Sequence, residues 1–198
     1  MEIIKGKSIL NKVAIGPILY HRKTESQVKR RTVEDTEAEV KRYEMAVACA
    51  EDELKTLHEK ACEQVGETGA AVFEVHMMML EDADYRDSVL NIIRNQKTNA
   101  EYAAAVTGDN FYRLFADMSD EYFRARAADV KDITNRLVKI LSGDGVESGF
   151  LTQPVILMAE DLAPSETVRL PRDRVLGLVT RQGSANSHTA ILARTLNI

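Results

Sequence analysis

The stretch Gly183-Ser-Ala-Asn-Ser-His-Thr-Ala-Ile-Leu-Ala-Arg194 decides the fold of this chain and carries most of its chemistry. It follows a near-continuous apolar run at residues 175–180, opens on small residues and closes on apolar positions at helical spacing. This order predicts a strand, a tight loop and a helix that Asn186 or Ser187 caps. Small residues let backbone N–H groups approach a ligand, and the start of a helix favours an anion. We therefore predict a phosphate-binding loop formed by Gly183, Ser184, Asn186, Ser187 and Thr189.

His188 falls in the first turn of this predicted helix. Because the positive end of the helix dipole disfavours a protonated imidazole, we expect His188 to be neutral and nucleophilic near neutral pH. A neutral imidazole beside an anion site is suited to accept a phosphoryl group and hold it. The alternative interpretation is that His188 only caps or packs the start of the helix, and the local pattern alone does not separate the two.

Strand patterns lie at both ends of the chain. Residues 3–20 are rich in β-branched residues interrupted by glycine and proline, which predicts two short strands joined by a turn. The apolar runs at 154–159 and 175–180 are typical of strands buried on both faces. We predict an α/β domain built from both chain ends, residues 1–21 and 146–198.

The middle of the chain has a helical pattern. Residues 33–141 contain no proline and only three glycines, which predicts helices. We expect a first helix capped by Thr32, with Asp35 in a capping box, and breaks at residues 66–69, 81–84, 96–98 and 119–120. The fold class is therefore an α/β domain interrupted by an inserted all-α helical bundle, with its linkers at residues 22–145.

Composition and charge argue against several classes of function. The chain has 26 Lys and Arg against 31 Asp and Glu, a net charge of −5, and no basic run. We therefore expect neither a nucleic-acid binder nor a membrane-surface protein. No apolar stretch is long enough to span a bilayer. Its two cysteines, Cys49 and Cys62, are too few for a zinc site and fit reduced thiols in a cytoplasmic protein.

Residues 183–194 resemble the active-site signature of the phosphoenolpyruvate-utilising enzymes, although Ser184 and Asn186 stand where glycine and threonine are usual. Three further segments, residues 73–82, 120–132 and 160–167, are similar to segments of one branch of that superfamily, Enzyme I of the bacterial sugar phosphotransferase system. The resemblance covers essentially the whole chain. It implies a swivelling phosphohistidine domain with a helical insertion that docks a carrier protein.

The resemblance also implies a reaction. His188 would accept a phosphoryl group from phosphoenolpyruvate and pass it to a histidine of the phosphocarrier protein HPr. By position, Thr167 matches a threonine that partners the active histidine, and Arg194 matches an arginine that faces the phosphate.

The resemblance places other functions outside this chain. Phosphoenolpyruvate and Mg²⁺ would bind a barrel domain, for which 198 residues leave no room. We therefore expect a fragment with an incomplete phosphohistidine domain that itself binds no cofactor or metal. Its parent enzyme would be a homodimer.

A helix rich in methionine is the second candidate site. Phe73, His76, Met77 and Leu80 share one helical stripe, which is typical of a bundle core. Three consecutive methionines span too wide an arc to face one core, so Met78 or Met79 should be partly exposed. The resemblance places the HPr-docking surface in this region, and we predict contacts from five residues: His76, Met78, Met79, Leu80 and Arg126.

Two other functions compete with this interpretation. The chain could be the phosphohistidine domain of a pyruvate phosphate dikinase or a phosphoenolpyruvate synthase, although the helical insertion argues against both. It could also be a non-enzymatic helical adaptor in which Ser187 and His188 only pack.

Overall fold

Segments from both ends of the chain and a long helical middle form two units. The computed structural model describes residues 6–21, 28–143, 153–183 and 187–197, and for His188 and Leu196 the description covers the backbone only. The strand unit comprises residues 1–24, 57–72 and 148–198, and the helical unit comprises residues 25–56 and 73–147. The predicted class, an α/β domain with a helical insertion, is confirmed. The predicted domain boundaries stay a prediction, and residues 57–72 group with the strand unit.

Four helices run through the middle of the chain: α1 Thr36–Glu81, α2 Ala83–Gln96, α3 Ala100–Ala116 and α4 Glu121–Ser142. Helix α1 is interrupted at Gly66, where the backbone leaves the helical region, as the predicted break at residues 66–69 requires. The other predicted breaks fall within two residues of the observed helix ends. No helix in the described ranges has the length and apolar character that crossing a bilayer requires.

Aspartates start three of these helices. Asp35 Oδ1 accepts hydrogen bonds from the Glu37 and Ala38 backbone N–H groups, at 3.0 and 2.9 Å. Asp82 and Asp120 cap α2 and α4 in the same way. The prediction that Thr32 caps α1 is therefore wrong. A carboxylate nearer the helix supplies the cap, and Thr32 instead forms a β-bridge with Thr98.

The strand unit contains a parallel sheet with the order β1-β2-β3: β1 Ile18–His21, β2 Val155–Ala159 and β3 Val175–Thr180. Helix α5, Pro164–Arg169, follows β2, and helix α6, His188–Leu196, follows β3. Leu157 pairs with Leu19 on one side and Leu178 on the other. Within residues 6–21 the structure has one strand, so the prediction of two strands fails for that range; residues 1–5 lie outside the description.

The sheet is buried on one face. Leu157, Ala159 and Val175 are buried and pack with Leu162. The opposite face leaves large apolar residues exposed, among them Ile18, Tyr20 and Val179. The prediction that both faces of β2 and β3 are buried is therefore wrong: β2 alternates between buried and half-buried residues, and β3 is mostly half-buried or exposed.

Helix α3 packs closely against α4 at Gly108. A Cβ atom at this position would lie 2.2 Å from Thr134 Oγ1 and 2.3 Å from Thr134 Cγ2. Thr134 cannot easily move away, because its hydroxyl lies 2.9 Å from the buried Tyr85 hydroxyl and hydrogen-bonds to it. A glycine at 108 is therefore a condition of the α3–α4 packing.

We predict that Gly108→Ala destabilises the helical unit by about 1–3 kcal/mol, because the added methyl group overpacks the contact with Thr134. Urea unfolding followed by helical circular dichroism measures the change. Gly6→Ala is the matched control, since a Cβ there meets no atom within 4 Å. Equal stability of Gly108→Ala and the wild type would contradict the close approach.

Candidate functional site

Helix α6 begins at His188, the first residue after its cap. The Ser187 hydroxyl oxygen accepts a hydrogen bond from the Ala190 backbone N–H at 3.2 Å. The sequence left Asn186 and Ser187 as alternatives, and Ser187 supplies this contact. The first helical hydrogen bond runs from Ile191 N–H to the Ser187 carbonyl at 2.9 Å. The backbone N–H groups of His188 and Thr189 precede that bond and have no acceptor within the helix.

Thr189 fastens the start of α6 to the segment after β2. Its hydroxyl donates to the Leu162 carbonyl at 2.6 Å, and the side chain is buried. We predicted Thr189 as a member of the phosphate loop. Because its hydroxyl proton is used by Leu162, only the backbone N–H of Thr189 is suited to meet an anion.

The loop before α6 turns at Gly183, where φ is +111°. Residues other than glycine rarely adopt this backbone conformation, so the position favours glycine. A Cβ built there would lie 3.5 Å from Ser187 Oγ, which places the turn beside the helix cap. The other two predicted members of the phosphate loop, Ser184 and Asn186, lie outside the described residues, and their roles stay predictions.

Backbone hydrogen bonds extend the sheet contacts beyond the strand ends. Arg181 N–H donates to the Ala159 carbonyl at 3.0 Å, and Gln182 N–H donates to the Glu160 carbonyl at 2.9 Å. The segment leading to α5 and the loop leading to α6 therefore leave the same edge of the sheet. This carboxyl edge is where open α/β sheets bind ligands.

Thr167 is fully buried in α5, with its hydroxyl donating to the Ala163 carbonyl at 3.1 Å. Glu166 closes the start of α5 by accepting from the Ala163 backbone N–H at 2.8 Å, so this segment does cap a helix. The Thr167 hydroxyl has used its proton, yet its oxygen keeps a lone pair that can accept a second hydrogen bond. Its pairing with the His188 ring stays a prediction.

Arg194 is exposed in the last turn of α6. It follows His188 by six residues, a rise of about 9 Å along the helix. A positive charge there also favours the helix dipole. The phosphate-facing role of Arg194 stays a prediction.

The five predicted docking residues fall into two groups by solvent exposure. Met78 is 67% exposed, and Met79 and Arg126 are half-buried. The expectation that Met78 or Met79 reaches the surface is confirmed. His76 and Leu80 are 0% and 2% exposed, so the prediction that their side chains contact a partner is wrong. Both point into the bundle core, the alternative that their helical stripe favoured.

A polar network surrounds His76. Its Nε2 lies 3.2 Å from Asp129 Oδ1, and its Nδ1 lies 3.6 Å from Asp132 Oδ2. Arg126 donates from Nη1 to Asp129 Oδ2 at 3.1 Å and from Nη2 to the Tyr122 hydroxyl at 2.9 Å. The sequence pattern did not single out Tyr122, Asp129 or Asp132. Tyr122 and Asp129 nevertheless lie four and three residues from Arg126, and Asp132 follows Asp129 by three, a spacing that indicates one face of a helix.

The pKa of Arg126 reflects this network. Burial alone would lower the pKa of the guanidinium, but the hydrogen bonds with Tyr122 and Asp129 and the charge of Asp129 outweigh it. The net pKa is raised, so Arg126 carries a full positive charge.

The described residues contain no group of three or more His, Cys, Asp or Glu side chains that could hold a metal ion.

Comparison with known proteins gives two family matches. Residues 5–126 match the model described as "PEP-utilising enzyme, N-terminal", and residues 151–198 match "PEP-utilising enzyme, mobile domain". The chain is 37% identical over 198 residues to the phosphoenolpyruvate-protein phosphotransferase of Geobacillus stearothermophilus and 34% identical over 199 residues to that of Bacillus subtilis. All of the chain aligns in both cases, but it spans only about a third of each relative, 34% and 35% of their lengths.

Two solved structures are also similar. An NMR solution structure of Enzyme I (nEIt) gives a TM-score of 0.72 at 30% identity, covering 93% of this chain and 76% of that one. The N-terminal domain of Enzyme 1 - Nitrogen gives 0.68 at 27% identity, covering 92% and 76%. These relatives confirm the resemblance to Enzyme I and disfavour both the dikinase-type domain and the helical adaptor.

We predict that Thr189→Val destabilises the attachment of α6 by about 1–3 kcal/mol, because valine keeps the shape but leaves the Leu162 carbonyl without this donor. Amide hydrogen exchange in α6 should accelerate about tenfold or more. Thr195→Val on the same helix is the control. The Thr195 hydroxyl is exposed and, among the described residues, donates only to the Ile191 carbonyl one turn before it. Unchanged exchange in Thr189→Val would show that the Leu162 contact does not hold α6.

Proposed function

This chain belongs to the family of phosphoenolpyruvate-utilising enzymes, and on that premise we propose that it is the N-terminal portion of a phosphoenolpyruvate–protein phosphotransferase with His188 as its phosphoryl carrier. One observation carries the proposal. His188 is the first residue of a helix that Ser187 caps and Thr189 fastens beside the carboxyl edge of a parallel sheet. The backbone of the proposed nucleophile is thereby fixed beside backbone N–H groups that can receive an anion.

In the first half-reaction, His188 Nε2 attacks the phosphorus of phosphoenolpyruvate in line. A nitrogen–phosphorus bond forms as the bond between phosphorus and the enol oxygen breaks, and the electron pair leaves with enolpyruvate. Catalysis then depends on positioning the imidazole and stabilising the charge on the phosphoryl oxygens.

Thr167 supports the choice of nitrogen. Its hydroxyl proton is used by the Ala163 carbonyl, so toward an imidazole it acts as an acceptor. An Nδ1–H of His188 that donates to Thr167 leaves the lone pair on Nε2, which fixes the tautomer needed for attack.

The anion is received by the start of α6 and the loop before it. The backbone N–H groups of His188 and Thr189 have no helical acceptor, and the turn at Gly183 keeps side-chain bulk away from the cap. Ser184, Asn186 and Ser187 complete this phosphate loop. Arg194 balances the phosphoryl charge.

In the second half-reaction, phospho-His188 passes the group to a histidine of HPr docked on the helical unit. Met78 supports a docking role because it is a flexible, polarizable side chain that remains exposed. Met79 and Arg126 also reach the surface in part.

The remaining partners belong to the parent enzyme. We propose that phosphoenolpyruvate and Mg²⁺ bind a domain outside this chain and that the parent is a cytoplasmic homodimer. Mg²⁺, when bound there, would neutralise charge on the substrate phosphate. The residues of this chain bind, orient and carry the phosphoryl group.

The test is intact-mass analysis after mixing the chain with HPr of Bacillus subtilis phosphorylated on its histidine. We expect the gain of one acid-labile, base-stable phosphoryl group and no gain in His188→Ala, because the substitution removes the nucleophile. His58→Ala is the matched control, since His58 lies on α1 outside the site and should leave the gain unchanged.

HPr binding is measured beside the mass. A phosphoryl gain that persists in His188→Ala would refute His188 as the carrier. Binding without any gain in the wild type would refute phosphoryl transfer by this chain, and the absence of both would refute the docking function of the helical unit.

A further inference from the structure

A chain of polar contacts leads from the core of the helical unit to its surface. It begins at His76, which is 0% exposed on α1, and passes through Asp129, whose side chain is 4% exposed on α4. Each Asp129 oxygen has its own partner, with Oδ1 next to His76 Nε2 at 3.2 Å and Oδ2 accepting from Arg126 Nη1 at 3.1 Å. The contacts end at Tyr122, which is 63% exposed.

The outer end of this network is held in one geometry. The Arg126 guanidinium lies 4.7 Å from the centroid of the Tyr122 ring and donates from Nη2 to the Tyr122 hydroxyl. A half-buried arginine with two fixed hydrogen bonds and a cation–π contact loses most of its rotamer freedom. The guanidinium has more N–H groups than these contacts use, so it can still donate to an acceptor on a partner.

Stability alone does not explain a buried histidine between two carboxylates. Replacing a buried ionic group by apolar residues of similar size is often neutral or stabilising. The neighbouring core positions Phe73 and Leu80 are apolar and equally buried. The polar residue at 76 is explained if it fixes Asp129, because Asp129 in turn fixes Arg126, a cation whose side chain is 18% exposed.

We infer that His76 is a positioning residue for carrier recognition: through Asp129 it holds Arg126 against Tyr122, and Arg126 donates hydrogen bonds to a carbonyl or carboxylate oxygen of docked HPr. The inference rests on the proposed docking function of the helical unit. It replaces the expectation that His76 contacts the carrier directly. On the other side of the ring, Asp132 Oδ2 lies 3.6 Å from His76 Nδ1, beyond hydrogen-bond distance.

The test measures the dissociation constant of HPr of Bacillus subtilis by calorimetry for single and double variants. Arg126→Met should weaken binding about tenfold or more, the range expected for losing a charged hydrogen bond. His76→Leu should weaken it by about three- to tenfold, because Arg126 is released but still present. The double variant should bind no more weakly than Arg126→Met alone, since both act through one side chain.

Two further variants separate positioning from folding. His76→Gln can keep a donor toward Asp129 and should restore binding to within about twofold of the wild type. Arg124→Met removes an exposed charge from the same helix and should leave binding unchanged. In Arg124→Met the rate of phosphoryl transfer from phospho-HPr should also equal the wild-type rate.

An NMR signal tests the network without any partner. In the wild type the Arg126 side-chain Nε–H should be a single sharp resonance, and His76→Leu should broaden or shift it toward the position of a free arginine. If His76→Leu does not fold, Asp129→Asn takes its place with the same expected loss of binding and the same NMR change.

The inference is overturned if His76→Leu binds HPr as the wild type does, if its effect adds fully to that of Arg126→Met, or if the Arg126 resonance is unchanged. A wild type that does not bind HPr refutes the docking function, and the inference with it. If the wild type binds while His76→Leu has no effect, only the positioning role fails.

Discussion

The hydrogen bond from the Thr189 hydroxyl to the Leu162 carbonyl determines where α6 begins relative to the strands. Because it is short and buried, it holds the first turn of the helix next to the segment that leads from β2 into α5. The Ser187 cap then leaves two backbone N–H groups at the helix start without a helical acceptor. A histidine at this place has a fixed backbone beside free helical N–H groups, which is the arrangement that the proposed role of phosphoryl carrier needs.

The helical unit is held by buried polar networks as well as by its apolar core. Glu101 is buried and accepts hydrogen bonds from Arg31, Arg42 and Asn99. Burial alone would raise the pKa of Glu101, but its backbone hydrogen bond and its contacts with Asn99 and Arg42 outweigh burial and lower the pKa. Its stabilising contribution is therefore present above the ordinary pKa of glutamate and is lost as pH falls through the lower, folded value. The His76 network likewise reaches the surface, through Arg126 and Tyr122, and there we infer a role in carrier recognition.

The sequence correctly predicted those features of the fold that depend on a few adjacent residues. The apolar run at 175–180 became β3, and Ser187 became the cap of the helix that begins at residue 188, because strand pairing and capping depend on a few adjacent residues. The errors concern partners distant in sequence. Whether His76 is buried depends on its contacts with Asp129 and Asp132 on α4. Whether a face of the sheet is exposed depends on which segments pack against it. Thr32 lost the role of cap because Asp35 lies closer to the first N–H groups, a competition that the pattern did not resolve.

The most direct test of the central claim is which nitrogen of His188 carries the phosphoryl group. Nitrogen-detected NMR on the isotope-labelled chain, before and after reaction with phosphorylated HPr, identifies the protonated and the phosphorylated ring nitrogen. The account predicts a neutral ring with its proton on Nδ1 and, after reaction, phosphorus coupling at Nε2. A proton on Nε2 before reaction, or phosphorus coupling at Nδ1 after it, would contradict the proposed pairing of His188 with Thr167.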